Sequence, residues 1–374
     1  MATRPTAQAS TQERELLESA RGGDEAAYAR LVEPYRGELQ AHCYRMLGSV
    51  HDAEDALQDA LLRAWRGLPR FEGRSSLRSW LYKIATNTCL NAIERRPKRA
   101  LPIDYGPATD PHDGIGLPPI ESVWVEPFPD EGLGLEDGYA APEARYEVRE
   151  SVELAFVAAL QHLPANQRAT LILREVLGFS AQEVADSLET SVASVNSALQ
   201  RARKTVDERL PERSQQATLR SLGDDQLRRV VESYMDAMQR GDVDAVVEML
   251  AEDASWSMPP LAAWFHGHDA LLGFLKTGPL SGDWRWRHRP AHANGQAALG
   301  VYAWYEPDGC YRPFGLDVLT LDRDGKISEI TSFLTRSTAS REIEYYVRFP
   351  EQPLEDADKI LAAFERFGLP DKLD

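Results

Sequence analysis

Apolar positions recur at helical spacing through most of the first 210 residues. The clearest run is DAEDALQDALLRAWR, 52–66, in which Ala53, Ala56, Leu57, Ala60, Leu61, Ala64 and Trp65 form an i, i+3, i+4, i+7 stripe. A second helix is predicted over about 76–96, started by Ser75 or Ser76. Its inward side takes Leu77, Trp80 or Leu81, Ile84, Thr88 and Ile93. Its outward side takes Arg78, Tyr82, Lys83, Thr86, Asn87, Asn91, Arg95 and Arg96. Residues 163–204 have the pattern of a helix-turn-helix. Leu171, Val176, Val184, Ala185, Leu188, Val192, Val195 and Leu199 supply one small core. Gly178 breaks its first helix, Ser180 with Glu183 has capping-box spacing, and Thr190 and Ser191 offer an N-cap for a helix running to about Leu210.

From about residue 216 the period changes. Residues 224–240 and 242–250 read as amphipathic helices, with Val230, Val231, Tyr234, Met235 and Met238 on one side of the first. ASWSMPP (254–260) reads as a strand and 268–276 as a short helix. WRWRHRPAHANG, QAALGVYAWYEP, RPFGLDVLTLDRDG and KISEITSFLTR then alternate like an antiparallel meander, with Asp324-Gly325 as a hairpin turn. This predicts an α+β domain over 216–340 and a helical and coil tail over 341–374. An all-helical module over 13–100 and a second helical module over 145–213 precede it; residues 1–12 are predicted to be disordered.

Between the helical modules, residues 101–144 are rich in Pro, Gly and acid, a linker composition. An apolar patch interrupts it, Val123-Trp124-Val125-Glu126-Pro127-Phe128. A solvated linker has little use for Trp and Phe, so Trp124, Pro127 and Phe128 are expected to dock on another domain or a partner. The formal net charge of −17 argues against general nucleic-acid affinity, but it is unevenly spread. Residues 101–150 hold 12 Asp+Glu against 2 Lys+Arg, whereas 1–100 hold 13 against 16, so local basic faces remain available. Three widely spaced cysteines with no CxxC pair indicate neither a disulfide framework nor a Cys-based zinc site. There is no apolar run long enough for a membrane span and no leader-like start, which points to a cytoplasmic protein without membrane partners.

The polar faces carry the candidate chemistry. Asp52, Glu54, Asp55, Gln58 and Asp59 crowd the first half of one helix, where acid favours the N-terminus; the alternative reading makes them a docking face for a basic partner. The cations and amides of 78–99 suit backbone tracking and base stacking on single-stranded nucleic acid. On the last helix of the helix-turn-helix, Ser191, Ser194, Asn196, Ser197, Gln200, Arg201, Arg203 and Lys204 face outward, with short polar groups able to reach base edges and cations able to meet phosphates.

DAEDALQDALLRAW, LRSWLYKIATNTCLNAIERR and LPANQRATLILREVLGFSAQEVADSLETSVASVNSALQRARK, in that order, resemble regions two and four of sigma factors of the extracytoplasmic-function (ECF) class. The resemblance covers roughly 25–100 and 145–210. It implies an all-α region 2, a helix-turn-helix region 4, and promoter DNA and the RNA polymerase core (β′ clamp helices and β subunit) as partners. Asp52, Glu54, Asp55, Gln58, Asp59 and Arg63 would dock on the clamp helices. Trp80, Lys83, Asn87, Asn91, Arg95 and Arg96 would capture the unpaired −10 strand. Ser191, Ser194, Asn196, Ser197, Gln200, Arg201 and Arg203 would read the −35 element in the major groove. The linker would occupy the polymerase's RNA path. The chain itself needs no cofactor and no catalytic residue.

The C-terminal part resembles the SnoaL-like cone-shaped α+β barrels, through the paired helices at 224–250, WFHGHDALLGFL and TLDRDGKISEITSFL. The resemblance implies a regulatory extension acting through the linker or the polymerase. That barrel family also includes cyclases and isomerases with Asp/His acid–base pairs, for which His266, His268, Asp269, His288, His292 and Asp317 are available. Trp256, Met258, Trp264, Trp286, Trp304, Tyr305 and Phe333 are expected to line the interior. Trp256, Trp264, His266, Trp286, Trp304 and Asp317 are the candidate lining of a pocket for a small ligand. His266 and His268 lack an evident third ligand, so no metal is expected. Two other readings compete: a helix-turn-helix regulator fused to a ligand-binding or enzymatic SnoaL-like domain, and a bifunctional enzyme acting in 216–340.

Overall fold

The computed structural model describes residues 11–113, 124–133, 150–335 and 357–374. Of residues 1–12, expected to be disordered, 1–10 lie outside them, as do parts of the linker and tail, whereas Thr11 and Gln12 already belong to the first helix. Five helices come first: α1 (Thr11–Arg21), α2 (Glu25–Val32), α3 (Arg36–Leu47), α4 (Val50–Gly67) and α5 (Leu77–Ile93). Four follow the linker: α6 (Leu154–Gln161), α7 (Ala165–Leu171), α8 (Ala181–Ser187) and α9 (Val192–Asp207). The C-terminal part adds α10 (Gln215–Leu222), α11 (Asp224–Arg240), α12 (Val243–Met249), β1 (Leu250–Ser257), β2 (Trp264–His266), α13 (His268–Thr277), β3 (Trp286–Ala293), β4 (Gln296–Tyr305), β5 (Cys310–Leu321), β6 (Ile327–Leu334) and α14 (Ala357–Glu365).

These elements form two compact units. One comprises residues 1–97 with 163–207; the other comprises 98–162 with 208–374. The sequence pattern suggests two separate helical modules. In the structure, most of the second packs with the first, while its opening helix, α6, belongs to the other unit. Apolar periodicity marks which face of a helix is buried but not which helix covers it.

In the first unit, Ser49 caps α4 by accepting from the Asp52 N–H at 3.1 Å. Ala53, Ala56, Leu57, Ala60, Leu61 and Ala64 are buried, and these mostly small side chains let neighbouring helices approach closely. Ser76 caps α5 through the Ser79 N–H. The helix α7 runs on into a π-helical turn, Ile172–Val176. Gly178 then takes φ +72°, a left-handed conformation that costs a Cβ-bearing residue more. Ser180 and Glu183 form the expected capping box at the start of α8.

The second unit is built on a six-stranded sheet of order β2-β1-β6-β5-β4-β3. The meander β3–β6 is antiparallel, as its alternation predicts, while β1 lies parallel to β6. One core gathers Leu227, Val231, Tyr234, Trp256, Phe265, Phe274, Leu299 and Ile330 between sheet and helices. Alternation in β4 would leave its second face wet, yet residues Gln296–Ala303 are all buried. The C-terminal segment covers it: Phe364 packs against the Tyr302 ring, and the Tyr302 hydroxyl donates to the Pro370 carbonyl at 2.8 Å. A Cβ at Gly300 would meet the end of the Leu369 side chain at 2.6 Å, so any larger residue there would have to push that side chain aside.

Candidate nucleic-acid interface

Helix α9 presents a sharply divided surface. Val195, Leu199, Ala202 and Val206 are buried, while Ser191, Ser194, Asn196, Ser197, Gln200, Arg201 and Arg203 are all exposed on the other side. Ser191 accepts from the Ser194 N–H at 3.2 Å, as an N-cap should. The outward row is therefore aimed by the burial of the opposite stripe. Arg203 donates to Glu175 at 2.6 Å, a surface pair that phosphate would have to displace.

On α4, Asp55, Gln58, Asp59 and Arg63 are exposed and Asp52 and Glu54 half-buried. Leu62, 47% exposed, sits among them; the stripe reading overlooked this apolar centre for a docking face. Asp52 forms an ion pair with Arg96, which joins two residues expected to meet different partners.

On α5 two expectations need correcting. Tyr82 and Thr86 were expected to face outward; both are buried. The Thr86 hydroxyl pairs with His42 Nε2 at 2.9 Å. The Tyr82 ring meets His42 and Phe179 edge-on at 5.2 and 5.3 Å. A helix lodged between two neighbours buries more than one stripe, which a single-period reading of α5 misses. Trp80 is half-buried, with its ring 4.9 Å from that of Phe71. Lys83 and Asn87 are also half-buried, and Asn91, Arg95 and Arg96 are exposed.

The start of α5 is engaged by α8. Ser79 donates to Glu183 at 3.2 Å, and Lys83 Nζ donates to the Asp186 carbonyl at 3.0 Å and lies 3.4 Å from Glu189. The Arg78 guanidinium lies over both Tyr82 and Phe179 at about 5 Å. Deeper in, Arg168 of α7 is 5% exposed and donates to the Met46 carbonyl near the C-terminus of α3 at 2.5 Å. Carbonyls in that last turn have no partner within their own helix, so a cation there is doubly favoured.

In the other unit, Trp124 and Phe128 are buried and Pro127 half-buried. The Trp124 indole donates to the Pro260 carbonyl at 2.7 Å, and the Arg99 guanidinium donates to the Trp124 carbonyl at 2.7 Å. The Phe128 N–H donates to Asn294 Oδ1 at 2.9 Å, and the Asn294 N–H donates back to the Phe128 carbonyl at 2.8 Å. Farther up the linker, the Trp264 indole donates to the Gly106 carbonyl.

The candidate pocket residues do not all gather in one place: Trp256 and Asp317 share Ser332, while the Trp264 and His266 rings lie 6.2 Å apart elsewhere. Trp256, Trp286 and Asp317 are buried, whereas Trp264 and Trp304 are half-buried and His266 is exposed. Trp264 turns to the linker, and Trp304 carries the Arg285 guanidinium over its ring at 4.5 Å. Side chains alternate between sheet faces, and aromatic type alone does not say which face is the interior. Inside, a polar chain was not foreseen: Trp256 donates to Ser332 at 2.8 Å, and Ser332 donates to Asp317 at 2.6 Å. Burial pushes the Asp317 carboxyl up to about 7, against the pull of its Ser332 and Tyr234 hydrogen bonds. His288 is buried nearby; burial pushes its imidazole down to about 3, and neither ring nitrogen has a partner among the described residues. No group of three or more His, Cys, Asp or Glu among the described residues is placed to hold a metal ion. No described helix is long and apolar enough to cross a membrane.

Comparison with known proteins agrees with this layout. Residues 31–99 match the Sigma-70 region 2 family, 153–206 the Sigma-70 region 4 family, and 231–330 the SnoaL-like domain family. The ECF RNA polymerase sigma factor SigG of Mycobacterium tuberculosis is 39% identical over 355 residues, 94% of this chain and 86% of that protein. The RNA polymerase sigma-H factor of Pseudomonas aeruginosa is 30% identical over 201 residues, 53% of this chain and 94% of that one. The crystal structure of the ECF sigma factor SigJ of M. tuberculosis superposes with a TM-score of 0.52 at 25% identity, covering 82% of this chain and 96% of that one. With two sigma regions in order, an α+β domain behind them and a relative alike over nearly its whole length, the chain belongs to the ECF family of RNA polymerase sigma factors and carries a SnoaL-like C-terminal domain.

Proposed function

We propose that this chain binds the RNA polymerase core through the acidic face of α4 and directs it to promoters read by α5 and α9, with the C-terminal domain governing when it does so. The carrying observation is the division of α9 into a buried apolar stripe and an exposed row of short polar and cationic side chains. Asn and Gln match adenine edges, and Arg matches guanine or phosphate.

In this proposal the first unit is a closed form. The −10 and −35 elements lie more than two turns of duplex apart, about 70 Å at ~35 Å per turn. A compact unit of this size has a radius of gyration of about 14 Å and a diameter of roughly 40 Å. It does not reach both elements, so the α5–α8 contacts must part on the polymerase. The buried linker patch supports a second control point. Trp124 and Phe128 cannot both fill the C-terminal domain and enter the polymerase. On this reading the domain works by binding and coupling rather than by turnover.

The test is run-off transcription with core polymerase on a promoter library. Gln200→Ala and Arg201→Ala in the full chain should relax base preference at single −35 positions, each good base contact being worth about 1–3 kcal/mol of discrimination. A holoenzyme that forms yet yields no transcript from any promoter defeats the proposal.

A further inference from the structure

The tip of the β3–β4 hairpin, Asn294-Gly295-Gln296, is buried. Asn294 is 0% and Gln296 2% exposed. Hairpin tips usually lie in water, and burying two carboxamides is costly unless each donor and acceptor is met. Here they are met by segments far apart in sequence. Asn294 Oδ1 accepts from the linker's Phe128 N–H at 2.9 Å, while Asn294 Nδ2 donates at 2.8 Å to the carbonyl of Val152, two residues before α6. The Gly295 N–H donates to Asp130 at 2.8 Å on the linker side, and the Gly295 carbonyl accepts from Gln216 on α10 at 2.5 Å. Gln296 Oε1 accepts from the Leu154 N–H at 2.9 Å, the first residue of α6. Below this joint, the Glu153 carboxylate accepts from the Gln215 and Gln216 N–H groups at 3.1 and 2.7 Å.

The helix so held is the first of region 4. We propose that Asn294 is a positioning residue that couples linker docking to the placement of this helix. Its one amide bonds the linker with its oxygen and the α6 lead-in with its nitrogen. Losing the linker frees that amide and loosens the Val152 end, and loosening that end weakens the linker site equally, since coupling between two sites is reciprocal. When the linker leaves the C-terminal domain, the grip on region 4 relaxes with it. This rests on the proposed docking role of Trp124 and Phe128.

Amide hydrogen exchange on the full-length protein tests the proposal without polymerase. Trp124→Ala should speed exchange over 124–130 and, with it, over 152–158 by about tenfold, mid-range for residues sharing a hydrogen-bond network. Asn294→Gly removes the side chain but keeps the left-handed backbone, φ +56°, that the turn requires. In that background 152–158 should exchange faster from the outset and no longer respond to Trp124→Ala. A purely structural role for Asn294 would leave the response intact. The coupling is overturned if 152–158 ignores Trp124→Ala in otherwise unaltered protein, or if the response survives Asn294→Gly. If 124–130 itself does not quicken, the docking reading falls, and the coupling with it.

Discussion

Replacing Arg168 with methionine should open the first unit. Methionine keeps an apolar stem of similar length, so the loss is confined to the guanidinium. Burial pushes that group's pKa down to about 10, which still leaves it charged at pH 7. Its buried contacts include the Met46 carbonyl at 2.5 Å and the Leu163 carbonyl at 3.2 Å. The Leu163 contact lies within the same segment and survives opening. Of these two, the Met46 contact is the one that distinguishes closed from open. A hydrogen bond from a charged donor contributes about 1.5–3 kcal/mol. At 1.4 kcal/mol per tenfold, the closed-to-open ratio should fall roughly 10- to 150-fold. Dyes on cysteines at the exposed positions Arg74 and Asp207 would report opening by energy transfer. The native Cys43, Cys89 and Cys310 are buried and label slowly. Energy transfer should drop in Arg168→Met while helical circular dichroism is retained. An unchanged transfer efficiency at intact helicity would refute the latch.

Three further outcomes are expected. Phe128→Ala, at a fully buried site, should cost about 3–5 kcal/mol of linker docking and appear as rapid proteolysis near residue 128. Equal protease resistance would show that the linker is held elsewhere. Lys83→Ala should alter closure less than Arg168→Met, because its pair with Glu189 and its bond to the Asp186 carbonyl are both at the solvent-screened surface, yet should reduce promoter opening measured by permanganate footprinting; normal opening would remove Lys83 from the −10 surface. The two units should respond oppositely to pH. Asp317 and Glu153 are pushed up to about 7, largely by burial, so between about 4 and 7 these two carboxyls take up protons on folding; buried His288, pushed down to about 3, offsets one of them below about 6.5, and on balance the second unit loses stability as pH rises. His42, pushed down to about 3 by burial and its Arg45 and Arg78 neighbours, makes the first unit lose stability as pH falls below about 6.5. Melting each unit across pH 4–8 checks the signs, and Asp317→Asn should flatten the slope of the second.

The sequence by itself determined what depends on near neighbours in the chain. The α4 stripe, the Ser180–Glu183 capping box, the exposed row on α9 and the hairpin alternation of β3 to β6 are all set by side chains a few residues apart, and periodicity exposes them. It also marked Trp124 and Phe128 as misplaced in a solvated linker, because burial of large apolar surface needs a receptor somewhere. Tertiary structure alone decided which surfaces meet. Tyr82 and Thr86 are buried because a second neighbour covers α5, and β4 is dry on both faces because a segment some 60 residues later lies over it. Asn294-Gly295 is legible as a turn, but its burial between the linker and α6 is not. Contacts between distant segments depend on shape and on the satisfaction of buried polar groups, and neither leaves a periodic trace in the chain.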